Sequence, residues 1–155
     1  MAVFTGILPL TQDDAGLATV LGHEIAHAVA RHGGERVSQG LLVNTGLAAV
    51  QLGLGNRDPQ TVKAVTGLLG AGAAVGVVLP FSRTQESEAD RLGLIYMAKA
   101  GYDPRASLAF WKRMADAQKG NAPPEFLSDH PTEEKRIQQI EEWLPEAMTH
   151  YKPRK

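Results

Sequence analysis

"GHEIAHAVARH" spans Gly22 to His32. Two histidines four apart, His23 and His27, flank Glu24. Around them apolar residues recur at Leu17, Val20, Leu21, Ile25, Ala28 and Val29, close to the 3.6-residue period of a helix. Buried polar groups left unpaired cost roughly 1–3 kcal/mol each, so three of them beside an apolar face call for a partner. His23 and His27 project from one face, one turn apart, and two imidazoles so placed can reach one ion. Glu24 is rotated from them by about 100°. It can stand beside the ion without binding it, which is where a general base for hydrolysis belongs. The spacing predicts a zinc site.

The rest of the composition narrows the choice. The chain has 155 residues, one domain's worth and enough for a sizeable core. Sixteen basic and 17 acidic residues give a net charge of −1, which lends no support to nucleic-acid binding. The absence of cysteine excludes a disulfide framework, a thiol nucleophile and thiolate ligands, so any metal must be held by nitrogen and oxygen. No signal peptide is visible at the N-terminus.

Outward from the motif, Val3 to Gly6 reads as a short strand ended by Pro9. Thr11 caps the motif helix, with Asp13 and Asp14 at its positive end, and Gly33-Gly34 stop it. Two helices rich in small and apolar residues follow, about 37–54 and 61–79, joined by "GNRDP" (Gly55–Pro59). The run from Ala64 to Pro80 carries no charge. It reads as half of a buried hairpin, or alternatively as a membrane-associated one. Pro80 closes the run, and Ser82-x-x-Gln85 reads as a capping box that starts a new helix near Arg83 and carries it to Lys99. Asp103-Pro104 opens another helix, through Phe110, Trp111 and Met114 to Gly120. "NAPPEFLSDHP" is a loop, and a last helix runs from Thr132 to Leu144, ended by Pro145.

Zinc in a catalytic site needs a third protein ligand. A histidine shortly after the motif, in the pattern HExxHxxGxxH, is excluded because position 30 is Ala and position 33 is Gly. His32 therefore reads as a surface histidine or one that backs a ligand. "QESEADRLG" offers an alternative: Glu86 and Asp90 are four apart and share a face, whereas Glu88 points elsewhere. Glu86 can ligate, and Asp90 can accept a hydrogen bond from the far nitrogen of a ligating histidine. A solvated acidic helix start has the same pattern.

"VLGHEIAHAVARH", "LPFSRTQESEADRLG" and "LSDHPTEEKRI", in that order, resemble peptidase family M forty-eight, the HtpX-like, BepA-like and mitochondrial overlapping-activity zinc metallopeptidases of gluzincin type. The resemblance covers nearly the whole chain. It implies His23, His27 and Glu86 as zinc ligands, one zinc per chain, Glu24 as catalytic base and Asp90 as the partner of a ligating histidine. It also implies that "HPTEEKR" borders the site, with His130 as a conditional fourth ligand that gates the enzyme and Arg136 as an oxyanion stabiliser. Family members carry further strands and a helix before "VFTG". Residues 1–155 then form a single metallopeptidase catalytic domain lacking the N-terminal part of the family's domain.

The expected fold is mainly α, a zincin or gluzincin-like catalytic domain with only a short N-terminal strand left from the family's α+β architecture. Val3, Phe4 and Thr5 would form an edge strand that holds extended substrate by main-chain pairing. The expected function is a zinc endopeptidase acting on unfolded or misfolded polypeptides, with Glu24 as general base toward a zinc-activated water. The alternative is a zinc-binding chaperone-like or scaffold module with weak or gated proteolysis. Expected partners are extended polypeptides and no nucleic acid, with membrane association through residues 37–79 as a further option. The expected location is a bacterial periplasm or cell envelope.

Overall fold

The structure, a computed structural model, describes residues 3–55, 57–119, 130 and 134–153. All regular elements among them are helical: α1 (Leu8–Thr11), α2 (Asp14–Val29), α3 (His32–Leu54), α4 (Pro59–Ala73), α5 (Leu79–Lys99), α6 (Ala106–Gln118) and α7 (Glu134–Thr149). The mainly α expectation holds. The N-terminal strand does not form. Phe4 is extended, and Thr5–Ile7 makes a single 3-10 turn. Val and Phe suit a pleated surface, but a strand needs a neighbour to take its backbone hydrogen bonds. None of the described residues provides one, so Val3, Phe4 and Thr5 present no paired edge.

The chain divides into two units, residues 1–30 with 86–155, and residues 31–85. In the first, α1, α2, the C-terminal part of α5, α6 and α7 enclose a core that includes Val20, Leu94, Met97, Phe110, Trp111 and Ile140. α2 starts one residue pair later than the sequence suggests. Its N-cap is Asp13, which accepts a hydrogen bond from the Gly16 N–H at 2.7 Å, while Thr11 closes α1. The face α2 buries is not its apolar stripe. Gly16, Ala18, Thr19, Val20, Gly22, His23 and Ala26 are inside, whereas Ile25 and Val29 are 42 % and 62 % exposed. Small residues win that face because α5 comes very close. A Cβ on Gly22 would stand 2.7 Å from the Gly93 carbonyl oxygen, and one on Gly93 would stand 2.9 Å from the His23 nitrogen. The backbones touch at this crossing only because both positions lack a side chain.

α2 ends at Val29, ahead of the two glycines. Arg31 takes left-handed geometry (φ 59°), and Gly33-Gly34 lie in the first turn of α3. His32 is buried, so the surface reading is corrected.

The second unit is the hairpin of α3 and α4, closed as expected by Gly55 (φ 55°) and by Asp58, which caps α4 through the Thr61 N–H at 3.0 Å. Pro80 does not end a helix. The chain stays helical from Pro59 to Lys99, with five residues of π-helix at Ala74–Val78 just before the proline. A proline inside a helix loses one N–H and presses its ring on the carbonyl four residues back. The wider π turn relieves that clash. Gln85 accordingly forms no capping box. It accepts from Arg36 Nε at 3.1 Å and donates to Glu35 Oε2 at 2.8 Å. Pro145 likewise sits inside α7. The hairpin is apolar but not a core: Leu42 and Leu52 are 75 % and 83 % exposed. This corrects the buried-hairpin expectation.

Candidate metal centre

α2 carries His23 and His27 on the face it buries or half-buries. The Gly22–Gly93 crossing then sets α5 beside them, with Asp90 three residues before Gly93 and Glu86 one turn earlier. His23 Nδ1 lies 2.9 Å from Asp90 Oδ1, both buried. An ionised carboxylate only accepts, so the imidazole proton is on Nδ1 and Nε2 presents its lone pair. That lone pair meets three other groups. His27 Nε2 is 3.0 Å away, Glu86 Oε2 3.3 Å and His130 Nδ1 3.2 Å. Glu86 also stands 3.2 Å from His27 Nε2 and 2.8 Å from His130 Nδ1.

Lone pairs converging in this way repel unless something positive sits between them. One donor atom from each of His23, His27, Glu86 and His130 falls within 4.8 Å of all the others. A tetrahedral zinc with bonds of about 2.0–2.1 Å needs donors spaced about 3.3 Å apart. The residues therefore fit a metal, and the nitrogen and oxygen donor set fits zinc. Glu88, in contrast, is exposed.

Burial alone would raise the pKa of Glu86, but the imidazoles of His130, His23 and His27 around it pull it far below the usual carboxylate range. Burial likewise opposes ionisation of Asp90, and the Arg136 charge and the His23 hydrogen bond overcome it, so its pKa is lowered. Burial depresses His27, whose pKa is lowered overall. His23 is also pushed down by burial, but the Asp90 and Glu86 carboxylates beside it leave its pKa raised.

Glu24 sits at the edge of the cluster. Its Oε1 is buried, accepts no hydrogen bond, and stands 3.3 Å from His130 Nε2. Arg136 comes to the site and binds Asp90. Its Nε donates to Asp90 Oδ2 at 2.6 Å and its Nη2 to Asp90 Oδ1 at 2.7 Å, a two-point fork on a buried carboxylate. His130 and Arg136 flank residues outside the described set, where the expected loop at 121–131 and the start of the last helix fall. Two features were not singled out by sequence reasoning. One is the glycine crossing, whose only signal is a glycine beside each motif. The other is Trp111, named above only as a residue of its helix: the Arg136 guanidinium lies 3.5 Å over its ring.

A family model described as peptidase family M48 matches residues 1–144. The chain belongs to peptidase family M48. A fission yeast protein named mitochondrial metalloendopeptidase OMA1 is 44 % identical over 94 % of this chain and 41 % of its own length. The human metalloendopeptidase OMA1, mitochondrial, is 34 % identical over 96 % of this chain and 29 % of its own. The beta-barrel assembly-enhancing protease of Escherichia coli is 31 % identical over 88 % of this chain and 29 % of its own. The M48 chain thus spans less than half the length of each of these relatives. No solved structure matches it. Membership in family M48 agrees with the resemblance seen in the three motifs. The expected bacterial periplasm is not supported, since the yeast and human relatives are named mitochondrial.

Proposed function

We propose that this chain is the catalytic domain of a zinc metalloendopeptidase that hydrolyses peptide bonds in extended or unfolded polypeptides. The observation that carries the reading is the convergence of His23 Nε2, His27 Nε2 and the Glu86 carboxylate, with Glu24 beside them. Bound zinc supplies Lewis acidity, which lowers the pKa of water toward ~7 and polarises the scissile carbonyl. His23, His27 and Glu86 would hold it. Asp90 keeps the His23 proton on Nδ1 and so keeps Nε2 available. Glu24 takes the proton of the attacking water and returns it to the leaving amine.

His130 favours a second, gated reading. Its Nδ1 already stands among the ligands, and a fourth protein ligand closes a tetrahedral site. Displacement of His130 would then precede hydrolysis, and with His130 in place the module binds zinc as a scaffold or chaperone would. On this reading His130→Ala keeps zinc and cleaves faster than wild type. Inactivity as deep as that of Glu24→Gln would instead make His130 a transition-state stabiliser.

Residues 37–79 serve as the membrane contact. α3 (His32–Leu54) and the continuous helical stretch Pro59–Lys99 are long and apolar enough to cross a bilayer, and no part of either apolar window is buried within the chain. Flotation with liposomes tests this, and detergent-free solubility with no flotation speaks against it.

Chelator-sensitive cleavage of an unfolded protein, with Glu24→Gln as control, tests the activity. Glu24→Gln should retain one zinc per chain and lose cleavage by about 10²–10⁴-fold. Loss of zinc in that variant would reassign Glu24 as a ligand.

A further inference from the structure

Among the fully buried side chains of the described residues Trp111 is the largest, and it belongs to α6, which supplies no ligand to the metal cluster. We infer that Trp111 is a positioning residue for the metal centre: its indole face holds the Arg136 guanidinium, which grips Asp90, which in turn orients His23.

The relay is continuous. The Arg136 guanidinium carbon is 3.5 Å from the centre of the Trp111 ring. Two of its nitrogens fork onto Asp90 at 2.6 and 2.7 Å, and Asp90 meets His23 Nδ1 at 2.9 Å. A guanidinium hydrogen bonds only in its plane, and its flat faces need a different partner. An indole face is the best aromatic one for a cation, most of all where water is excluded. Arg136, Asp90 and His23 are all buried, so a tilt of the guanidinium cannot be corrected by solvent. Trp111 touches the other end of the relay too, with its ring edge-on to His23 at 5.7 Å between centroids. Phe110 packs against the indole, 5.1 Å between centroids, and limits its own movement.

A plain core role needs only apolar volume, whereas the positioning role needs an aromatic face under Arg136. That difference sets the test, which rests on the zinc reading of the site. The zinc dissociation constant is measured by chelator competition for wild type, Trp111→Leu, Arg136→Gln and the double variant, with thermal melting of the zinc-free proteins as a folding control. Trp111→Leu should raise the constant about tenfold and Arg136→Gln about tenfold to a hundredfold, the range found when groups behind metal ligands are removed. The double variant should be weaker than Arg136→Gln alone by clearly less than the Trp111→Leu factor, because Trp111 acts mainly through Arg136. A Trp111→Leu constant within about twofold of wild type overturns the inference, as does a double variant showing the full product of the two single effects. If Trp111→Leu does not fold, Trp111→Phe, which keeps a weaker aromatic face, should raise the constant about threefold. Failure of both to fold assigns Trp111 to the core and overturns the inference. Wild type that binds no zinc removes the metal reading itself, an outcome distinct from all of these.

Discussion

Helix α2 keeps His23 at 1 % exposure while its own Val29 stands at 62 %. In the hairpin of α3 and α4, leucines and valines such as Leu41, Leu42, Leu52 and Leu68 face outward. One region hides polar groups and the other displays apolar ones, the reverse of what hydropathy alone would assign. The most deeply buried polar side chains of the site are tolerated because they meet partners: His23 with Asp90, Asp90 with Arg136, Glu86 with three histidines. Burial there is bought by pairing and by the Gly22–Gly93 contact that brings the helices close enough to pair. The hairpin has no such arrangement. Leucines and valines stand exposed along it, so it is not core.

The comparison breaks most visibly at the metal. Glu86→Ala should reduce zinc from one per chain to almost none, whereas Glu88→Ala, exposed on the same helix, should keep it. Metal analysis after dialysis decides, and equal zinc in both variants would move the third ligand elsewhere. Next comes packing. Met114→Ala in the core of the first unit should destabilise by about 2–5 kcal/mol in denaturant titration. Gly93→Ala should destabilise by about 1–3 kcal/mol, since the added methyl has only backbone to displace. It should also weaken zinc binding, because the same crossing sets Asp90 against His23. Smallest of all, Leu52→Ala should change stability by no more than about 0.5 kcal/mol. A loss at Leu52 as large as that at Met114 would mean that the hairpin is a core after all.

Much of the site was legible because its signals are local. His23 and His27, and again Glu86 and Asp90, are pairs four apart, and helical periodicity alone puts each pair on one face. The positions of His130 and Arg136 followed only from the family resemblance, because no spacing rule links them to residues more than forty positions earlier. Trp111 belongs to no motif, and the structure places it in the core. What it carries is on α7, and sequence does not show which helices meet. Three elements misread have three causes. Pro80 and Pro145 look like helix stops, but a π turn in one case and an unbroken last helix in the other accommodate them. Val3 to Thr5 has strand propensity without a strand partner. Residues 37–79 have the composition of a core, and composition does not say what covers it.

The central claim is that the buried polar face of α2 and the acidic face of α5 together hold one zinc ion. X-ray absorption at the zinc edge of the purified, zinc-loaded chain tests it directly. One zinc per chain is expected, with only nitrogen and oxygen neighbours at about 2.0–2.1 Å, the outer-shell scattering of two or three imidazoles, and one imidazole fewer in His23→Ala. No bound zinc, or a bound zinc whose spectrum lacks imidazole scattering and is unchanged in His23→Ala, would contradict it.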